Sequence, residues 1–220
     1  MSAHEILTET AADVPAHGEP GDDTAFSMFA VFRTSSSHPV VLDGRDVPAI
    51  VQELEDVAVS LSSEGVTVRG WYDVSGVHSD ADLMVWLHGS EIEDLQWALR
   101  QLRRCALLHP LIRSWSVVGV DQAASPALEQ GEAGAWLTCA AARSVQDSTA
   151  AADTDDVTLR VFAAAALSDA QWLIAAEADD PTALIALVHS VHGSDATTSE
   201  LSTVYTGRFI EPAEIVEVLQ

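Results

Sequence analysis

Few side chains in this 220-residue chain have the types that chemistry needs, and most of them stand apart. Cys139 and Arg143 lie four positions apart in the stretch Trp136 to Ser144. The thiol reads first as a small buried hydrophobe, because free cysteine is among the most buried residue types. Its chemical alternative is a thiolate, the form that attacks electrophiles and binds metals. Arg143 reads as solvated or ion-paired. Its alternative is a carboxylate clamp, for which the planar guanidinium fork is suited. His189 and His192 fall at i and i+3 near the end of an expected helix, where a partly cationic imidazole interacts well with the helix dipole. Two histidines without a third ligand make an incomplete metal site. His78 and His88 bracket an expected hairpin and read as solvent-facing, and Cys105 reads as a structural or surface thiol. None of these residues is assigned a catalytic or metal-binding role from the residues alone.

The elements that would hold them read clearly. Phe26 to Arg33 is a strand by its apolar run. Asp46 caps a helix with Pro48 in its first turn, apolar residues at helical spacing from Val47 to Leu61, and Gly65 at its end. Val66 to Val74 and Ala81 to His88 form a hairpin. Ser90 and Glu93 form a capping box for a helix with Ile92, Leu95, Leu99 and Leu102 inward. Ile112 to Val120 closes the first half. The second half gives strands at Ala135 to Arg143, Val157 to Ala166 and Ala170 to Glu177. A helix then opens at Asp180-Pro181 and ends at Gly193, and a last strand runs from Thr203 to Ile210. The first half is the strand–helix–strand–strand–helix–strand order of a split βαβ unit.

The halves repeat each other. Val66-Thr67-Val68-Arg69 leads into Ser79-Asp80-Ala81-Asp82-Leu83-Met84-Val85-Trp86; Val157-Thr158-Leu159-Arg160 leads into Ser168-Asp169-Ala170-Gln171-Trp172-Leu173-Ile174. The expected fold class is therefore α+β, a duplicated ferredoxin-like fold. The expected divisions are a disordered leader at 1–24, a first repeat at 25–121, a linker at 122–134 and a second repeat at 135–220. The copies differ at one place. Between Arg33 and Val66 lie about thirty residues, enough for a helical crossover, whereas between Arg143 and Val157 lie about thirteen. Those few, Ser144 to Asp156, are Ser, Thr, Ala and Asp with little to bury, so the second repeat is expected to lack its first crossover helix.

Composition narrows the function. The formal net charge is −24, from ten basic residues, all arginine, against 34 acidic ones. Phosphate backbones and anionic membrane surfaces repel such a chain, so neither nucleic acid nor membrane is an expected partner. Two cysteines do not form a disulfide framework, and no signal peptide is visible, so a reducing, cytoplasmic setting is expected.

The tract Gly65 to Gly76 running through Ser79 to His88 resembles the chlorite dismutase superfamily, and within it the actinobacterial coproheme decarboxylases. The resemblance continues through Leu95-Gln96, Arg103-Arg104, Trp115 to Val120, Asp169 to Glu177 and Tyr205-Thr206-Gly207-Arg208. It implies a barrel usually assembled as a homopentamer. It implies heme or coproheme in the second half, with peroxide-dependent oxidative decarboxylation of two propionates to give heme b. In the family a proximal histidine lies on the first helix of the second half, and a distal histidine on the linker. A radical-bearing tyrosine lies on the first strand of that half, with a basic residue four positions later. Carried onto this chain, the tyrosine position holds Cys139 and the basic position holds Arg143. No histidine occurs from residue 110 to 188. Iron needs an axial ligand, which imidazole supplies in this family, and Cys139 is shorter than tyrosine.

The resemblance therefore leads to a member with lost or very weak catalysis, acting as a non-catalytic paralogue or assembly subunit in a homo- or hetero-oligomer, with an active paralogue as one candidate partner. Two alternatives stand beside it. One is an active decarboxylase with relocated ligands. The other is a heme or small-ligand binding module whose site is defined by Trp136, Cys139 and Arg143, with Cys139 as a thiolate iron ligand and Arg143 as a propionate clamp.

Overall fold

A computed structural model describes residues 25–37, 44, 46–121, 133–143, 156–192 and 201–220, with the side chains of 188–192 excepted. The expected leader, most of the linker and the tract that was to have lost a helix lie outside the described residues, as do the side chains of His189 and His192.

The first half runs β1 (Phe26–Arg33), α1 (Val47–Ser63), β2 (Val66–Asp73), β3 (Leu83–Gly89), α2 (Ile92–Leu102) and β4 (Ile112–Asp121). The second half contributes β5 (Trp136–Ala142), β6 (Val157–Ala163), β7 (Trp172–Ala178), α3 (Pro181–His192) and β8 (Leu201–Ile210), followed by a short α4 (Ile215–Val218). The eight strands close into one antiparallel barrel in the order β1-β3-β2-β8-β5-β7-β6-β4. Within that ring the halves read β4-β1-β3-β2 and β6-β7-β5-β8. Each has its first strand beside its third and fourth, which is the ferredoxin-like order expected from the repeat. The α+β barrel is thus present, and closure pairs the edges that two separate sheets would carry, though over only two residue pairs between β4 and β6.

Alternation along the strands divides the apolar residues between two environments. Phe29, Val31, Tyr72, Met84, Trp86, Leu137, Cys139, Phe162, Leu173 and Tyr205 fill the barrel interior. Met28, Ala30, Phe32, Val85 and Leu87 face outward under the helices, where Leu54 and Leu61 of α1 and Leu95, Leu99 and Leu102 of α2 cover them. In the second half α3 sets Leu184 and Leu187 on Val157, Ala176 and Ala178. The C-terminal turn was not foreseen. It returns Ile215, Val216 and Leu219 to the outer core of the first half, so the end of the chain ties the two repeats together.

Helix boundaries follow expectation with two corrections. Asp46 stands at the N-cap of α1 but makes no side-chain cap hydrogen bond. Pro48 sits in the first turn of α1, and Gly65, at φ +83°, ends it in the left-handed region. For α2 the N-cap is Glu91, with no side-chain cap hydrogen bond, so the expected Ser90–Glu93 box does not form. Glu93 and Asp94 instead stand in the first turn, where negative charge meets the positive end of the helix dipole.

Two seams join the halves, and both depend on a glycine. The seam between β2 and β8 pairs Trp71, Tyr72 and Asp73 with Ile210, Phe209 and Arg208. The seam between β4 and β6 has only Val120–Ala163 and Asp121–Phe162. A Cβ on Gly207 would sit 2.7 Å from the Asp73 carbonyl oxygen and 2.7 Å from Val74 Cγ1. A Cβ on Gly119 would sit 2.6 Å from Phe162 Cβ. Real Cβ atoms do not approach so closely, so the strands would have to separate. Gly119→Ala and Gly207→Ala are each expected to lower unfolding free energy by about 1–3 kcal/mol. Gly44→Ala, with nothing among the described residues within 4 Å of where its Cβ would lie, is expected to leave stability nearly unchanged in the same urea titration.

Candidate functional site

The second half is where the resemblance locates chemistry, and strand alternation decides what its residues can reach. On β5 the side chains of Leu137, Cys139 and Ala141 enter the barrel interior. Ala140 and Ala142 face outward with Ile174 and Leu201, and Trp136 packs on the outer cluster under α3. On the outer face the hydroxyls of Thr138 and Thr206 hydrogen-bond across the strands at 2.9 Å. Small residues (Ala140, Ala142, Ala176 and Ala178) make this face flat.

Cys139 is fully buried and lies opposite Ala175 and Tyr205 on the neighbouring strands. Burial pushes its thiol well above the usual range. Burial thus disfavours the thiolate, the form that attacks electrophiles and binds metals. Arg143 follows the end of β5 and is exposed. Trp136 and Cys139 stand on opposite faces of one strand. The structure thus does not gather Trp136, Cys139 and Arg143 into one site, because a spacing of three residues in a strand reverses the face.

The other candidates are also relocated. His88 is buried, not solvent-facing, at 7% exposure. It shares the inner face of β3 with Met84 and Trp86, lying opposite Ser27 and Thr67. His78 is half exposed, its Nδ1 2.6 Å from Asp80 Oδ1. Its ring lies 4.6 Å from that of Tyr205, which in turn is 5.2 Å from Trp115. Cys105 is buried, and burial together with the Glu53 charge pushes its thiol up to about 11. Among the described residues no group of three or more His, Cys, Asp or Glu side chains is placed to hold a metal ion.

Sequence reasoning missed the interior's charged pair. Arg69 Nη2 lies 2.6 Å from Glu177 Oε2, with both side chains almost wholly buried. Glu177 Oε1 also accepts from the Tyr72 hydroxyl at 3.4 Å and from the Gly134 N–H at 3.3 Å. The Arg69 guanidinium lies 5.1 Å from the ring centre of Trp86, a cation–π arrangement. Burial first, and the Glu177 charge second, push the Tyr72 phenol far above its ordinary value, so it remains a donor. Arg69 reaches this place through a bulge, where the register between β2 and β3 shifts between Val68 and Gly70. Arg160, its counterpart in the repeat, sits in regular register opposite Ala175. The one available sequence signal was an arginine followed by glycine in one copy and by valine in the other.

Two cavities lie at the loose seam between β4 and β6. One of about 250 Å³ opens at the barrel mouth beside Trp115, Ala141, Ser168 and Thr203. A larger one of about 430 Å³ adjoins it on the outside, between α2, β4 and the turn from β6 to β7. The two share Ser116, Val117, Ser168 and Asp169.

Comparison with known proteins bears on this geometry. The chlorite dismutase family model matches residues 47–136. Over 220 aligned residues the chain is 27% identical to a coproheme decarboxylase of Mycolicibacterium smegmatis, an alignment covering 88% of this chain and 94% of that protein. A mutant chlorite dismutase from Candidatus Nitrospira defluvii superposes with a TM-score of 0.69 at 18% identity, covering 89% of this chain and 96% of that one. The imidazole complex of chlorite dismutase from the same organism gives 0.68 at 17% identity, covering 89% and 95%. At such identities the structural likeness establishes the barrel fold. No helix among the described residues is long and apolar enough to cross a membrane.

Two measurements test the interior. Glu177→Gln removes the carboxylate that faces the buried Arg69 charge and is expected to cost about 3–5 kcal/mol. Replacing both partners by apolar residues of similar volume is expected to recover most of that loss, and a double substitution as unstable as Glu177→Gln alone would contradict the assignment. The thiols give a pH test. Folding holds their protons to higher pH than an unfolded thiol does, so their contribution is complete below the unfolded value and is lost as pH rises through the folded ones. Unfolding free energy is therefore expected to fall from about pH 9 upward. A Cys105→Ala/Cys139→Ala variant is expected to show a flatter profile over the same range.

Proposed function

We propose that this chain is a member of the chlorite dismutase family, whose model matches residues 47–136, and a coproheme decarboxylase-like protein of heme b biosynthesis whose catalysis is lost or very weak. It acts as a non-catalytic paralogue or assembly subunit. The observation that carries the reading is Cys139. It occupies the position that the resemblance assigns to the radical tyrosine, and it is a thiol sealed inside the barrel, where burial disfavours the thiolate. A side chain there can neither supply a phenol nor reach a group lying on the outer face of the sheet.

The described residues do not fit an iron porphyrin. Bound, such a group would supply peroxide-dependent oxidation and would need an axial ligand. Cys139 is enclosed, and burial disfavours its thiolate. His78 is held by Asp80 in the first half, and buried His88 is also in the first half. No step is therefore derived through the porphyrin. Arg143 is the residue retained from the family pattern, and its exposed guanidinium is proposed to meet a carboxylate at the rim of the second half. The proposed repeats span 25–121 and 135–220, joined by a linker at 122–134 and preceded by a leader at 1–24. Assembly as a homo- or hetero-oligomer in the cytoplasm completes the reading.

Coproheme titration followed in the Soret region, with and without peroxide, tests it. Addition of peroxide is expected to yield no heme b, whether or not porphyrin associates. Formation of heme b would overturn the loss of catalysis. Recovery of this chain solely as a monomer, with no paralogue copurifying, would overturn its role as an assembly subunit.

A further inference from the structure

We propose that the groove between α2, β4 and the β6–β7 turn is a binding site for an amphipathic oxyanion, a ligand with a carboxylate or phosphate head and an apolar body. Three of the chain's ten arginines line it: Arg100 and Arg103 from the end of α2, and Arg113 from β4. They come from two separate elements and converge on one volume. No described carboxylate lies within 4.0 Å of any of the three, so no ion pair among the described residues occupies their guanidinium groups. Asp169, the groove's own acidic residue, makes no ion pair with them either.

The dipole of α2 explains one basic residue at its C-terminal end. It does not explain Arg113, which a strand delivers to the same place.

The remainder of the lining is apolar. Met28, Leu99 and Val118 form a floor continuous with the outer core. Leu167 forms the opposite rim and is 41% exposed, one of few large apolar side chains so placed. The residue before it, Ala166, holds φ +67°. That left-handed conformation is unfavourable for a residue with a Cβ, and such strain persists where the surroundings fix it. Here it belongs to the turn that presents Leu167 to the groove.

The groove exists because β4 and β6 pair only at Val120 and Asp121. From Ile112 to Val118 the β4 edge has no strand partner in β6, and Arg113, Ser116, Val117 and Val118 of that stretch line the groove. A volume of about 430 Å³ lies within the range of small-molecule pockets. Guanidinium groups give bidentate contacts to a carboxylate or phosphate head, and the floor and Leu167 take the apolar portion. This site is separate from the second-half sheet and stands independently of whether porphyrin binds there.

Calorimetric titration with decanoate, decyl phosphate and inorganic phosphate tests the proposal and distinguishes the two heads. One saturable site is expected for at least one tailed ligand, with inorganic phosphate binding more weakly than decyl phosphate. Affinity is expected to fall as salt rises. Arg113→Gln and Arg100→Gln are each expected to weaken binding about tenfold, as loss of a charge-assisted hydrogen bond implies. Leu167→Ser is expected to weaken the tailed ligands and to leave inorganic phosphate unaffected. Arg208→Gln, at an exposed ion pair with Glu214, is the control and is expected to leave affinity unchanged, with urea titrations confirming that all variants fold. Absence of saturable heat with both tailed ligands would overturn the proposal, as would equal affinity in Arg113→Gln. Loss of self-association in Arg113→Gln without any ligand binding would also overturn it, assigning the groove to a second copy of the chain.

Discussion

The buried pair of Arg69 and Glu177 is the constraint around which the barrel is organised. One residue belongs to the first half and the other to the second, and they meet in an interior otherwise filled by aromatic and aliphatic side chains. Removing two charges from water costs several kcal/mol per ion, and only excellent geometry with further hydrogen bonds offsets it. Those bonds are supplied by the Tyr72 hydroxyl and the Gly134 N–H, with the face of Trp86 below the guanidinium. Sliding one half past the other by a residue would strand both charges. The pair therefore fixes the register of the halves, a role that area burial alone, being non-directional, does not perform.

That closure is uneven, and the unevenness creates the usable surface. At the β2–β8 seam three residue pairs align, and the chain passes on to the C-terminal turn that packs against the first half. At the β4–β6 seam only two pairs form, the strands diverge, and the arginine-lined groove and the barrel mouth open between them. A duplicated chain that closed symmetrically would have no such opening. Divergence between the copies thus shows at the seam, where new space is exposed.

Much of the fold was legible from periodicity. The apolar run Phe26 to Arg33 and the repeated Val-Thr-x-Arg strands gave the strands their places, and the stripes through Leu54, Leu61, Leu95 and Leu102 gave two of the helices. These signals are local, since each element's buried face is written at a period of two or near four residues. The Ser90 cap failed because the helix began one residue later than its motif implied. The short helix after Glu214 carried no period long enough to read. His88 was misjudged as solvent-facing because it ends a strand in sequence, while in space a neighbouring strand on either side encloses it.

The candidate site was less legible. Sequence alone determined the duplication, the family resemblance and the residue types at the inherited positions, because these are properties of order along one chain. Tertiary structure alone decided that Trp136 and Cys139 face apart and that burial disfavours the Cys139 thiolate. It also decided that Arg69 finds Glu177 and that three arginines from a helix and a strand share one groove. Each of those facts depends on which residues become neighbours after closure, and on how much water closure excludes from around them. Neither quantity is encoded in spacing: Arg69 and Glu177 are 108 residues apart, and only the closing of the barrel makes them one interaction.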